Sequence, residues 1–517
     1  MWSSTARLPA ASNLISARLV LVRPDLLFVA VVGLHVLAWT LLPVLVHPNA
    51  PLDVVEGMAW GREWQPGYAK GPPLFAWTLG VLDPLPGDLR LAAIYLVSQL
   101  CIAVTFFGVW RLGCRILSSA EALLGVMLLE GVYYLTYPTP ELNEIIMQMP
   151  ISALLGWVFH RAVTEARHSD WVVVGVLAAL GMWTRYSSAA VLLSLGAFVL
   201  MLPAGRRCVR TAGPYIAFAV FLLLWSPHVA WIVQSDFQSI AYVASRAVPL
   251  ASAWDYLIAP ANFGLAQLLA LLPALALAFM LHTTRRSRVG GRDRDVCYTD
   301  RVYVAVLALG PFVIAEALSL ATGMGLRSMW GGPLWCFIGL FLVVMAQPTR
   351  SLIRLRPFLI AWCIVAALPV VAYAGVHGLG PVLKANEKRS SFPGDALADA
   401  VTAVWRDATG QPLRFVVGET WLAGNVAFYS PDRPSVFIDA DRKVAPWIDP
   451  DVLVTAGAVL LWDAAAVGDA LPAELRQAFP SAVVREPLVL SKRYPAAQRR
   501  VRIGWAIMSP TFAVHDW

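Results

Sequence analysis

Long apolar runs are the feature of this 517-residue sequence that most constrains its fold. Runs of roughly 17–22 residues recur up to residue 376, and a helix needs about 20 apolar residues to cross a bilayer core. Only 14% of the residues are charged, whereas soluble domains carry about 25%. These properties exclude a single soluble globular domain, and the high hydrophobic content excludes intrinsic disorder.

We therefore expect residues 1–376 to form a mainly α, polytopic transmembrane helix bundle of about eleven spans. The expected spans are residues 25–45, 91–110, 119–136, 142–160, 171–185, 187–203, 213–231, 262–282, 302–321, 330–347 and 357–376. The first span is too long for a cleaved signal peptide, and no small-residue cleavage site follows it.

The distribution of positive charge indicates the orientation. With the N-terminus in the cytoplasm, the inner segments carry 19 arginines, and the outer loops carry only Arg62, Lys70, Arg90, Arg185, Arg246 and Arg327. Positive residues concentrate on the cytoplasmic side of membrane proteins. The net charge of +7 belongs entirely to residues 1–376, so it records membrane orientation and does not indicate a nucleic-acid partner.

Residues 377–517 have a different character, because charged residues return and short β-type runs alternate with helical ones. Residues 414–418, 435–439 and 458–462 are typical of strands, and Pro472 to Phe479 is typical of a short helix. We predict a C-terminal extramembrane α/β domain on the outer face.

Two carboxylates open the first outer loop, residues 46–89. Asp53 and Glu56 are three residues apart, so on a helix they share one face. Acidic residues at the membrane edge are costly and suggest a functional site. An ordinary juxtamembrane helix, with Trp60 and Trp64 in an aromatic belt, explains the pair equally simply.

Lys70 is the only lysine before residue 377, and it lies on the outer side. It is placed between Tyr68 and a bend at Pro72-Pro73. An ammonium group on a rigid turn beside carboxylates suits a phosphate-bearing ligand. The alternative is a lysine that extends to the lipid headgroups.

A second outer patch joins the third and fourth spans and contains Glu141 and Glu144. For Glu144, interaction with a helix dipole is as good an explanation as a functional role. The outer cations Arg185, Arg246 and Arg327 fit either an anionic ligand or lipid headgroups. His228 follows Pro227 within a span and is expected to be packed.

Several common catalytic patterns are absent from the sequence. No glycine-rich phosphate loop follows a strand, no Walker, GxSxG or HExxH pattern occurs, and no Cys/His pair has metal-site spacing. ATP-driven work is therefore unsupported. No cofactor is required; a divalent cation is compatible with the sequence but is not indicated.

At these residues the chain resembles the GT-C membrane glycosyltransferases, in the family-39-like branch of protein O-mannosyltransferases, lipid A aminoarabinose transferases and rhizobial lipid A–core galacturonosyltransferases. The matching stretches are Asp53 with Glu56, Tyr68-Ala69-Lys70-Gly71-Pro72-Pro73-Leu74, Pro140-Glu141-Leu142-Asn143, Thr184-Arg185-Tyr186, Trp225-Ser226-Pro227 with Trp231, and Met329-Trp330-Gly331-Gly332-Pro333. Gly71 replaces the usual histidine and Arg185 the usual lysine, which puts the substrate's identity in question more than the reaction class.

The resemblance implies a GT-C bundle in the bacterial inner membrane whose site and C-terminal domain face the periplasm. It implies an inverting transferase that moves a sugar from a polyprenyl-phosphate donor to lipid A, lipopolysaccharide core or another envelope glycolipid. Membrane lipids would surround the enzyme. Asp53 would be the general base, with Glu56 and Glu141 orienting hydroxyls. The remaining expected site residues are Lys70, Arg246 and Arg327 for the donor phosphate, and Tyr68, Asn143, Arg185, Tyr186 and Trp330 for substrate.

Three alternatives stay open at this point. A protein O-mannosyltransferase-like enzyme differs only in its acceptor. A lipid-linked-sugar flippase or transporter would be expected to place charges near the bilayer midplane, whereas these charges concentrate in outer loops. A membrane-anchored binding protein would give no reason for Asp53, Lys70 and Glu141.

Overall fold

The computed structural model describes residues 23–246, 248–249, 252, 254–282, 296–346, 355–380, 389–491 and 500–511. The N-terminal segment 1–22, residues 283–295 of the expected cytoplasmic loop and residues 347–354 lie outside the described residues. Many of the arginines in the orientation argument fall in those three segments.

Helices dominate the chain up to residue 379. They are α1 Pro24–Val46, α2 Leu52–Gly61, α3 Leu74–Leu82, α4 Gly87–Ile116, α5 Ser119–Leu129, α6 Glu144–Glu165, α7 His168–Thr184, α8 Ala189–Met201, α9 Pro203–Cys208, α10 Gly213–Gln234, α11 Gln238–Arg246, α12 Asp255–His282, α13 Tyr298–Thr322, α14 Ile338–Ala346 and α15 Leu355–Tyr373. Short 3₁₀ turns cover Tyr133–Leu135, Tyr186–Ser188 and Ser328–Trp335, and a π-helical turn covers Ala374–Leu379. A two-residue ladder pairs β1 Val248–Pro249 with β2 Met324–Gly325.

A helix lies at each expected span, but the count of eleven spans is not confirmed. Among the described residues, six helices are long and apolar enough to cross a membrane: Pro24–Val46, Gly87–Ile116, Gly213–Gln234, Asp255–Leu281, Tyr298–Thr322 and Leu355–Leu379. The segment expected at 330–347 instead bends by 59° between Ser328–Trp335 and α14. The segment expected at 119–136 is broken, because α5 ends at Leu129.

The outward surface of the bundle is apolar. On α1, Leu26, Val29, Leu37 and Leu41 are exposed, while Trp39 on the same helix is buried. A helix satisfies its own backbone hydrogen bonds, so such faces can be presented to lipid at little cost.

The C-terminal part contains a small mixed sheet. Its strands are β3 Phe415–Gly418, β4 Ser435–Ile438, β5 Ala458–Asp463, β6 Val483–Val484, β7 Leu488–Ser491 and β8 Arg500–Met508. Its helices are α16 Gly394–Thr409, α17 Thr420–Tyr429, α18 Pro450–Ala456, α19 Ala464–Val467 and α20 Ala473–Ala478, after a 3₁₀ turn at Arg389–Ser391. Strand order is β4-β3-β5-β8-β6, with β7 also on β8; β3 is parallel to β4 and β5, and β8 is antiparallel. The expected strands and short helix are confirmed.

The sheet region packs onto the first outer loop. A Cβ on Gly424 of α17 would lie 2.6 Å from Cγ1 of Val55 on α2. Trp60 and Tyr68 belong to the same buried apolar cluster as Trp405 and Val416. The Ala50 backbone N–H donates to the Tyr429 hydroxyl at 2.8 Å. The segment between α1 and α4 is thereby packed between the C-terminal region and the helix bundle.

Candidate active site

Helices α2 and α3 form a tight hairpin that carries the first acidic pair. A Cβ on Gly61 would lie 2.1 Å from the Ala76 carbonyl oxygen, and one on Gly80 would lie 2.4 Å from the Gly61 carbonyl oxygen. Glycine at both positions lets the two backbones approach. Asp53 lies in the first turn of α2, where a negative charge complements the helix dipole, and Glu56 follows one turn later.

The connection between these helices presents Lys70 on a closed turn. Tyr68 N–H donates to the Gly71 carbonyl at 2.9 Å, and Gly71 N–H donates to the Tyr68 carbonyl at 3.0 Å. The Tyr68 ring stacks on Trp60 at 5.3 Å, and its hydroxyl donates to the Trp60 carbonyl at 2.9 Å. The Lys70 ammonium forms an ion pair with Glu56, so the turn delivers one cation to one carboxylate.

Helix α10 holds the start of this turn. His228 Nδ1 lies 2.7 Å from the Pro66 carbonyl oxygen. A carbonyl oxygen can only accept a hydrogen bond, so Nδ1 carries the proton and donates it. A Cβ on Gly67 would lie 2.3 Å from Cε3 of Trp231, so the indole packs against bare backbone. The Tyr186 hydroxyl lies 2.9 Å from His228 Nε2 and 2.7 Å from Ser239 Oγ. The expectation that His228 is packed agrees with its buried position.

The second acidic patch meets the first through Asn143. Its Oδ1 caps α6 by accepting from the Ile145 and Ile146 amides, each at 3.1 Å. Its Nδ2 donates to Asp53 Oδ2 at 3.4 Å. Asn143 therefore ties the orientation of the Asp53 carboxylate to the start of α6.

Glu144, the next residue, connects to the segment between α7 and α8. Its Oε2 accepts from Arg185 Nη1 at 3.2 Å, and the Arg185 guanidinium lies over the Trp330 ring at 5.8 Å. This ion pair shows that Glu144 does more than complement the dipole of α6. The structure thus brings Asp53, Asn143, Glu144, Arg185 and Trp330 into one continuous group.

Burial is the largest influence on the pKa values of Asp53 and Glu141. Burial raises the pKa of Asp53, and the hydrogen bond from Asn143 and the charges of Lys70, Arg185 and Arg389 oppose that rise. Glu141 is exposed and directly precedes the buried Leu142. Desolvation, together with the negative charge of Asp53, raises the pKa of Glu141 to about 7. A carboxyl with a pKa of about 7, as at Glu141, is suited to taking up a proton near neutral pH.

Lys70 stays cationic in this setting. Burial by itself lowers its pKa, but the Glu56 carboxylate more than offsets that effect, and the net pKa lies above the ordinary lysine value. About a third of the Lys70 side chain is exposed (34%). Its ammonium has three N–H donors, so it can bind an anion while it remains paired with Glu56.

The other expected phosphate ligands differ in their positions. Arg246 is close enough to influence the pKa of Glu56, and the Tyr242 ring lies 5.8 Å from its guanidinium and 5.9 Å from the Lys70 ammonium. Arg327 precedes the turn Ser328–Trp335. Within the described residues, no hydrogen bond or ion pair joins the Arg327 side chain to Lys70.

Sequence reasoning missed contributions from the C-terminal region. Burial raises the pKa values of Asp53 and Glu141, and Arg389 opposes that rise. Burial likewise raises the pKa of Asp439, which follows β4, and Lys70 opposes it. Tyr242 was also missed, although it lies one helical turn before Arg246, and that spacing could have indicated a shared face. No sequence pattern could have linked Arg389 to Asp53 across more than 300 residues.

The arrangement brings a carboxylate base, a second carboxyl and a cation into one group of interacting charges. It fits proton removal from a hydroxyl beside a bound phosphate. In the described part of the chain, no three His, Cys, Asp or Glu side chains are grouped as metal ligands.

Comparisons with known proteins bear on the chain's family. Residues 70–231 match the family described as dolichyl-phosphate-mannose-protein mannosyltransferase. The crystal structure of ArnT from Cupriavidus metallidurans bound to undecaprenyl phosphate has a TM-score of 0.59 at 14% identity, over 96% of this chain and 98% of that chain. The Archaeoglobus fulgidus oligosaccharyltransferase tethered with an acceptor peptide has a TM-score of 0.46 at 10% identity, over 85% of this chain and 69% of that chain. No curated protein sequence matches.

The matched segment contains Lys70, Glu141, Asn143, Arg185 and Tyr186, which are among the residues on which the resemblance was based. The ArnT likeness extends over nearly the whole chain and establishes the fold. The expected resemblance is therefore supported: the chain has the ArnT-like GT-C fold, and the match of residues 70–231 to the mannosyltransferase family model is consistent with the GT-C glycosyltransferases.

Proposed function

We propose that this chain transfers a sugar from a polyprenyl-phosphate donor to lipid A, lipopolysaccharide core or another envelope glycolipid. The reaction takes place at the periplasmic face of the bacterial inner membrane. The observation that carries the proposal is the grouping of Asp53, held by Asn143, with Lys70 on its closed turn. One group can accept a proton and the other can hold a phosphate.

In the proposed reaction, Asp53 takes the proton of an acceptor hydroxyl as its oxygen attacks the anomeric carbon. The bond from that carbon to the phosphate oxygen breaks, and polyprenyl phosphate leaves. Attack from the opposite face inverts the anomeric configuration. Lys70 stabilises the charge that develops on the leaving phosphate, and Arg246 adds positive charge beside it. Glu56 holds Lys70, and Glu141 orients a hydroxyl.

Two of the similarities support the donor class. The ArnT structure contains undecaprenyl phosphate, and the matching family is named for a dolichyl-phosphate-linked sugar. That family name also favours a second candidate acceptor, a protein hydroxyl. The attacking atom is a hydroxyl oxygen in either case, so the same base and phosphate site serve both.

The test compares purified wild type with Asp53→Asn and Lys70→Ala. Sugar transfer from polyprenyl-phosphate donors is measured to lipid A and, separately, to a Ser/Thr-containing peptide. We expect Asp53→Asn to lower kcat by roughly 10²–10⁴-fold. Asp88→Asn is the matched control, because Asp88 is an exposed acid in the first turn of α4. Sugar transfer at the wild-type rate by Asp53→Asn would reject Asp53 as the general base. If the wild-type protein transports the lipid-linked sugar but transfers none, the proposal that it is a glycosyltransferase is rejected.

A further inference from the structure

Gly71 has no evident structural need to be glycine. It is buried, and it is not among the glycines with positive φ. A Cβ built on it would meet a single heavy atom within 4 Å, Glu144 Oε1 at 3.9 Å, which is ordinary van der Waals contact. By contrast, a Cβ on Gly67 would clash with Trp231 at 2.3 Å. Position 71 therefore has room for a side chain.

Facing Gly71 across this space is Oε1 of Glu144, a carboxylate oxygen that can accept a hydrogen bond. Glu144 uses Oε2 to bind Arg185. Within the described residues, no hydrogen bond to Glu144 Oε1 is present, and about a quarter of the Glu144 side chain (25%) is exposed. The ion pair with Arg185 holds the carboxylate in place, so Oε1 points toward a fixed position.

The space adjoins the proposed phosphate site, because Gly71 directly follows Lys70 in the closed turn. The Lys70 charge also acts on Glu144. Because the sugar of the donor is bonded to the phosphate, a phosphate held by Lys70 brings the sugar close to the turn that contains Gly71. A hydroxyl is the group that a sugar most commonly directs at a carboxylate.

We propose that the space between Gly71 and Glu144 is a subsite for a hydroxyl group of the transferred sugar. Oε1 of Glu144 accepts its hydrogen bond, and the missing side chain at position 71 leaves room for it. This inference rests on the proposed function. A site built to hydrogen-bond a hydroxyl discriminates strongly against a substrate without it, because the carboxylate is then left unpaired.

The experiment uses the full-length protein and the polyprenyl-phosphate hexose that wild type transfers best, with a set of donors each lacking one hydroxyl. We expect wild type to disfavour one deoxy donor by roughly ten- to a hundredfold in kcat/KM. Glu144→Gln is expected to lose most of that preference. Gly71→Ala and Gly71→Val are expected to raise the donor KM progressively, with thermal unfolding in detergent unchanged.

Gly196→Ala is the control for adding a methyl group outside the site, because a Cβ there meets nothing within 4 Å. Wild-type kinetics for Gly71→Val, or a deoxy-donor preference unchanged in Glu144→Gln, would overturn the subsite. A rise in the acceptor KM alone would assign the space to the acceptor and also overturn it. Donor binding measured without acceptor separates the proposed subsite from the proposed function. If the protein binds donors selectively but transfers no sugar, the proposed transferase activity is rejected and the subsite is retained.

Discussion

The ammonium group of Lys70 is ion-paired with the carboxylate of Glu56, which lies one turn after Asp53 on α2. The pair joins the closed turn at residues 68–71 to the helix that carries the proposed base. Because one carboxylate holds the cation while the other remains free to accept a proton, the two chemical roles are separated on a single helical face.

Removing the cation should affect the chemical step most. We expect Lys70→Ala to lower kcat on the order of 10²–10³-fold, as is typical when a group that stabilises developing negative charge is lost. Lys70→Arg should recover only part of this, because a planar guanidinium differs in geometry from an ammonium. Steady-state kinetics with a polyprenyl-phosphate sugar measures both. Equal kcat for Lys70→Ala and wild type would contradict the phosphate role.

The pH dependence should report the raised carboxyl pKa values. A carboxylate base works only when deprotonated, and burial raises the pKa of Asp53, so activity should fall with decreasing pH at a higher pH than for an ordinary aspartate. Glu141→Gln removes a neighbouring negative charge and should move this acid limb to lower pH. The measurement is kcat/KM between pH 5 and about 9. An acid limb at the same pH in both proteins would argue against coupling of the two carboxyls.

Arg389, in the C-terminal region, should influence the pH at which activity falls on the acid side. Its positive charge lowers the pKa values of Asp53 and Glu141. Arg389→Gln should therefore shift the acid limb to higher pH, by a fraction of a unit because Arg389 is exposed and solvent screens it. Arg442→Gln, at another exposed arginine of the C-terminal region, is the control. A shift of equal size in the control would show a non-specific charge effect.

The packing of Trp231 on Gly67 should be sensitive to a single added methyl group. Gly67→Ala places a Cβ 2.3 Å from the indole, and overpacking of this kind costs about 1–3 kcal/mol. We expect a lower melting temperature in detergent and reduced transfer, because the turn that presents Lys70 shifts. The double substitution Gly67→Ala/Trp231→Leu should regain melting temperature. If Gly67→Ala alone melts like wild type, the indole is not held against this turn.

His228 should act as a positioning residue. His228→Ala removes the hydrogen bond to the Pro66 carbonyl and one of the two hydrogen-bond partners of the Tyr186 hydroxyl, leaving Ser239. We expect a higher donor KM with a smaller change in kcat, since His228 does not contact the proposed phosphate ligand. His228→Gln, which can still donate to Pro66, should restore part of the loss. Unchanged kinetics for His228→Ala would contradict this role.

Local sequence signals predicted the elements well. Short runs of Val, Phe and Ile predicted strands such as Ser435–Ile438, and long apolar runs predicted helices such as Gly87–Ile116. Signals of this kind fail where packing decides the path. The run at 330–347 is apolar throughout, yet it bends by 59° within the bundle. The strand Arg500–Met508 was missed, because it is charged at its start and its longest-paired partner, β5, is distant in sequence.

The sequence by itself determined the class of this protein: apolar length requires a membrane bundle, and the closely spaced residues Asp53, Glu56 and Lys70 mark one outer loop. Only the tertiary structure decided which distant groups complete the site. Asn143 reaches Asp53 across 90 residues, and Arg185 reaches Glu144 across 41. Such pairings depend on how helices pack, because helix packing brings together side chains that are far apart in the sequence and no local pattern records it.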